Sequence, residues 1–167
     1  RSCTGLSSVT IGDSVTSIPG NAFGGCPIST LIYNTSLALK VGDLIPSAQS
    51  TLKTVVLGAA VTSISSSAFN GCSSLSSVTI PDSVTSIGSY AFQECSALTS
   101  VIIPDSVTTF RIHEGNAATF MGCSSLTSVI VGEGLKDLPS GSFESCTNLK
   151  TVTLGSRVKS IGASAFA

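Results

Sequence analysis

Six cysteines (Cys3, Cys26, Cys72, Cys95, Cys123 and Cys146) and one histidine (His113) are the residues of this 167-residue sequence whose chemistry could serve metal binding, redox or acid–base catalysis. Six thiols could form a disulfide framework in an extracellular protein. Their positions argue for something else: every one after Cys3 lies three residues beyond a phenylalanine. A fixed place in a recurring context suits a buried row, because free cysteine packs as a small hydrophobe. Zinc would need four converging ligands, commonly supplied as close C-x2-4-C pairs, and the sequence has no such pair. With one histidine among abundant serines, any Ser-His-Asp triad would be an arbitrary selection. The expectation is therefore no enzyme, no cofactor and no metal. Asn34-Thr35-Ser36 matches a glycosylation sequon, which has a use only on a eukaryotic secretory route.

The elements that position these residues are copies of one another. LSSVTIPDSVTSI (residues 75–87) is followed 23 residues later by LTSVIIPDSVTTF (98–110). The same pattern starts at Leu6, Leu52, Leu126 and Leu149, and a worn copy fills residues 28–48. There Ile28, Leu31, Tyr33 and Leu37 take the places of Leu75, Val78, Ile80 and Val84, which puts Lys40 at an apolar position and Ala48 where the others have cysteine. The unit reads LxSVxIPxSVxSIxxxAFxxCxx, and a fixed period of this length is the mark of a solenoid.

Within a unit, Val78 and Ile80 alternate with Ser77 and Thr79, the period-two pattern of a short strand with one buried face. Pro81-Asp82-Ser83 has the composition of a corner. Val84 and Ile87 point inward, and Ala91, Phe92 and Cys95 share one side of what the spacing predicts to be a single helical turn. So small a core cannot offset the backbone entropy of ordering one unit, so stability must come from stacking neighbours. The fifth unit is 28 residues long instead of 23; the excess, Arg111, Ile112, His113, Glu114 and Gly115, is expected to form a surface loop, with Arg111, His113 and Glu114 as possible contact residues.

Composition narrows the partners. The chain is 42% hydrophobic and 10% charged with a mean hydropathy of +0.49, yet no apolar run reaches the roughly 20 residues that span a bilayer. Net charge is −1 with signs interspersed, which leaves no electrostatic footprint for nucleic acid. Neither nucleic acid nor membrane insertion is expected.

The strand, the PDS corner, the AF turn and the cysteine together resemble the BspA-like leucine-rich repeat family, from Cys3 to Phe166. The resemblance implies an α/β leucine-rich repeat solenoid of about seven stacked units, with parallel strands on the concave face and short helical or 3-10 turns and irregular segments elsewhere. Residues 1–167 are read as one domain of a longer array. It also implies a surface or secreted adhesin, extracellular or on the cell surface, whose partner is a host, neighbouring-cell or matrix protein. Leucine-rich repeats of this kind usually bind on the concave sheet. The outward positions there are a hydroxyl row and a β-branched row: Ser8, Thr54, Ser77, Ser100, Ser128 and Thr151 beside Thr10, Thr79, Ile102, Ile130 and Thr153. The expected function is protein recognition across these rows, by weak contacts repeated along the array. Two alternatives follow from the same residues: an assembly role by end-to-end stacking, and an ice-binding surface made by regular hydroxyl and methyl spacing.

Overall fold

The computed structural model describes residues 3–167 and is a stack of turns, one per sequence unit; Arg1 and Ser2 of the expected domain lie outside the described residues. One side carries the longer strands β1 (Ser8–Ile11), β2 (Thr30–Tyr33), β3 (Thr54–Leu57), β5 (Ser77–Thr79), β7 (Ser100–Ile103), β9 (Ser128–Val131) and β11 (Thr151–Thr153). A second side carries two-residue strands: β4 (Ser63–Ile64), β6 (Ser86–Ile87), β8 (Thr109–Phe110), β10 (Asp137–Leu138) and β12 (Ser160–Ile161). All the paired strands are parallel, and equivalent residues of successive units face each other, as in Leu31↔Val55↔Val78 and Val101↔Val129.

A proline stands at each break in the rows, although Pro81, equally unable to donate to Leu57, leaves β3 and β5 paired. In the long-strand row, Asn34, Gly58 and Gly132 each donate their N–H to the last strand residue of the preceding unit, Ile11, Tyr33 and Ile103. Pro104 has no N–H to give Ile80, and the sheet divides there into β1-β2-β3-β5 and β7-β9-β11. Val78, beside the break, is only half-buried, whereas Val101 and Val129 are buried. In the second row, Gly88, Arg111 and Gly162 donate to Ile64, Ile87 and Leu138. Pro139 cannot do the same for Phe110, and the row divides into β4-β6-β8 and β10-β12.

The third side corrects an expectation. Residues around the AF motif form turns instead of a helical turn; the helices among the described residues are α1 (Val41–Leu44) and α2 (Ala48–Thr51), both in the worn unit. Alternate amides of each AF segment reach across to the next unit: Ser67, Phe69 and Gly71 donate to Ser89, Ala91 and Gln93, and Tyr90, Phe92 and Glu94 donate to Ala117, Thr119 and Met121. Left-handed residues make this possible, with Tyr90 and Glu94 both at φ 59° and Gly122 at φ 74°. The third side is thus hydrogen-bonded from unit to unit as the two strand rows are.

Three further positions differ from expectation. In the worn unit Leu39, not Lys40, takes the inward place, and Lys40 is exposed, since a charge inside would be unpaired. Val152, expected inward, is 37% exposed on β11. Cys3, expected in the buried row, is exposed. Elsewhere the core follows the repeat, with Leu75, Val84, Ile87, Phe92, Cys95 and Leu98 all fully buried. No described helix is long and apolar enough to cross a membrane.

Candidate functional site: the long-strand face

The period-two alternation of each strand turns the two expected rows outward. Ser8, Thr10, Ser77, Thr79, Ser100, Thr151 and Thr153 are exposed; Thr54 and Ser128 are half-buried by their neighbours. Ile102 and Ile130 face each other in register on β7 and β9 and are 64% and 47% exposed. The pair makes an apolar patch on this face, flanked on β11 by Thr153 opposite Ile130. The face offers hydroxyl donors and acceptors beside β-branched apolar surface. It holds no tryptophan, and its small side chains let a partner backbone approach closely.

The five-residue excess is an ordered turn on another part of the surface. His113 and Asn116 exchange N–H···O bonds of 2.9 and 3.0 Å, and the two residues between them, Glu114 and Gly115, both have positive φ (51° and 83°). That is the tight hairpin whose backbone twist suits antiparallel strands. Arg111, His113 and Glu114 are exposed on it, and the His113 ring lies 6.2 Å from Tyr90, edge to face. The structure does not bring this hairpin into the long-strand rows; it follows β8 on the second side.

The cysteines behave as core. Cys26, Cys72, Cys95, Cys123 and Cys146 are buried and unpaired by disulfides. The Sγ–H groups of Cys95, Cys123 and Cys146 donate to the carbonyls of Phe69, Phe92 and Phe120, the phenylalanines one unit back, at 3.2–3.3 Å. Burial pushes the Cys72 thiol up to about 12 and Cys95 higher still. A hydrogen bond with Cys146, and then burial, raises Cys123; the same bond lowers Cys146. No group of residues suited to holding a metal ion occurs among the described residues.

The sequon is folded into the stack. Asn34 Oδ1 accepts the Ala60 N–H at 2.9 Å, and the buried Thr35 hydroxyl donates to Val15 O at 2.9 Å. Sequence reasoning missed a cleft beside the worn unit, between residues 16–20 and 37–40. Its signal was available in the mismatch of Leu37-Ala38-Leu39-Lys40 with the VTSI of other units.

The chain is similar to several solved structures. A leucine-rich repeat protein of T. pallidum aligns with a TM-score of 0.70 and 28% identity, over 93% of this chain and 72% of that one. A leucine-rich cell surface protein of Faecalibacterium prausnitzii aligns with a TM-score of 0.64 and 30% identity, over 97% of this chain and 45% of that one. A leucine-rich repeat protein of Bacteroides ovatus gives a TM-score of 0.58 and 25% identity, over 96% and 46% of the two chains. This chain thus spans less than half of the latter two. No curated protein sequence matches. The BspA type leucine rich repeat region matches in six copies over residues 1–43 and 47–167, and the parallel stacked turns are its architecture, so the chain belongs to the BspA-type leucine-rich repeat family.

Proposed function

We propose that this protein is a non-enzymatic recognition module of a secreted or cell-surface protein, binding a host, neighbouring-cell or matrix protein across its long-strand face. The observation that carries the reading is the exposed Ile102–Ile130 pair beside a row of hydroxyls that recurs in every unit. Apolar contact at the pair gives affinity, and the serines and threonines give hydrogen bonds whose individual weakness is offset by repetition. The similarity to a cell surface protein supports the location.

The test is adhesion of the labelled protein to cultured epithelial cells and to immobilised matrix proteins. Ser77→Arg, Ser100→Arg and Ser128→Arg together should reduce saturable binding at least about tenfold, by bulk and unpaired charge, with circular dichroism and Tm unchanged. Deletion of residues 111–115 should leave binding intact. Normal binding by the triple variant, with loss in the deletion, would move recognition to the hairpin.

A further inference from the structure

A cavity of about 420 Å³ opens between the first unit and the worn second one. Its walls are two lengths of backbone. Residues 15–18 are Val-Thr-Ser-Ile, the same four residues as 61–64 and 84–87. The latter two end in β4 and β6, which pair with each other at Ser63↔Ser86 and Ile64↔Ile87. Residues 15–18 belong to no strand, because the neighbouring segment, Ala38-Leu39-Lys40, is displaced by the register change that buries Leu39. No backbone amide or carbonyl of residues 16–20, 38 or 39 has a hydrogen-bond partner among the described residues.

The floor is apolar and already formed. Tyr33, Leu39 and Leu44 are buried beneath the cleft, and Ile18 and Leu37 are half-buried at its sides. The Tyr33 hydroxyl donates to Leu37 O at 3.1 Å, which ties the second wall to the floor. The rim carries one charge of each sign, Lys40 and Asp43.

We propose that this cleft binds an extended peptide segment of a partner protein by strand addition, with the segment completing the second-side row that β4, β6 and β8 continue. Two edges of unpaired N–H and C=O groups over an apolar floor are what a strand-adding peptide requires: main-chain bonds supply affinity, and alternate side chains supply specificity. The recognised pattern is the one this row carries in the rest of the molecule, V-T-S-I, whose isoleucine meets the floor as Ile64 and Ile87 do. A carboxylate at one end of the peptide complements Lys40, and a cation at the other complements Asp43.

The probe is fluorescein-labelled Glu-Val-Thr-Ser-Ile-Lys with blocked ends, titrated with the whole protein and followed by anisotropy. Saturable binding is expected. Methylation of the peptide's Ser amide nitrogen, which removes one main-chain donor, should weaken it about fivefold to tenfold. Ser17→Trp, at an exposed wall position, should abolish it while circular dichroism stays unchanged. Lys40→Glu should weaken it, and added salt should weaken the parent in the same direction. Absence of saturable binding, equal binding of the methylated peptide, or full binding by Ser17→Trp would each overturn the proposal. So would concentration-dependent dimerisation abolished by Ser17→Trp, which would assign the cleft to a second copy.

Discussion

The rings of Phe92 and Phe120 stack at 5.0 Å with 3° between their planes, although 28 residues separate them in the chain. Phe69 and Phe92, 23 apart, stack at 5.1 Å, and Phe120 and Phe143 at 5.2 Å, so the extra residues of the fifth unit leave the aromatic stack unchanged. The His113–Asn116 hairpin absorbs them outside. Phe120 therefore holds two neighbours at once, and Phe120→Ala should cost about 3–5 kcal/mol by denaturant titration. Deleting residues 111–115 should cost far less; a comparable loss would show that the hairpin supports the stack.

The hairpin does exact a local cost. Ser142 donates its hydroxyl to Pro139 O, three residues back, at 2.6 Å. Thr119 occupies the same place one unit earlier, but the corresponding carbonyl, that of Asn116, is taken by the His113 N–H, and Thr119 Oγ1 is buried with no partner. Replacing the hydroxyl by a methyl keeps the volume and removes an unsatisfied group. Thr119→Val should raise stability by about 1 kcal/mol. A loss of stability would mean that the hydroxyl does have a partner in solution.

Close stacking should make one glycine far more sensitive than another. A Cβ on Gly88 would meet the backbone of the preceding unit, overlapping Ser66 N and lying 2.6 Å from the Ser65 carbonyl carbon. Gly88 also donates to Ile64 O at 2.8 Å. Gly88→Ala should destabilise by about 1–3 kcal/mol through forced backbone separation. Gly12→Ala, with nothing within 4 Å of the new atom, is the control and should shift Tm little.

The buried thiols should make the fold sensitive to alkali. Folded Cys72 ionises near 12 and Cys95 later, against an ordinary value of 9.0, so the folded state holds protons that the unfolded state releases first. Their contribution is complete below pH 9 and is lost as pH rises towards 12. Tm should fall across that window, and less steeply in Cys72→Ala/Cys95→Ala. Thiol titration at pH 8 should find one reactive group, Cys3, in the native protein and six after denaturation. A Tm indifferent to pH, or fewer than six thiols, would contradict the buried, reduced row.

Much of this was legible in the repeat itself. Val101 and Val129 inward and Ile102 and Ile130 outward follow from alternation alone, because a strand's side chains must take opposite faces and only one face meets the core. The cysteines' fixed distance from phenylalanine placed them inside for the same reason, and the length excess located a surface excursion. Such patterns report which side chains leave water.

They do not report where a backbone amide finds its acceptor. Ala91, Phe92 and Cys95 have the spacing of a helix, yet the Phe92 N–H goes to Thr119 in the next unit, a choice that exists only once that unit is stacked against it. Likewise Leu39 displaced Lys40 because the assembled core, not the count of residues, decides which side chain can be desolvated. The cleft between residues 16–20 and 37–40 is the consequence. Identical VTSI segments are a strand where a neighbour's edge lies alongside, and an unpaired wall where it does not.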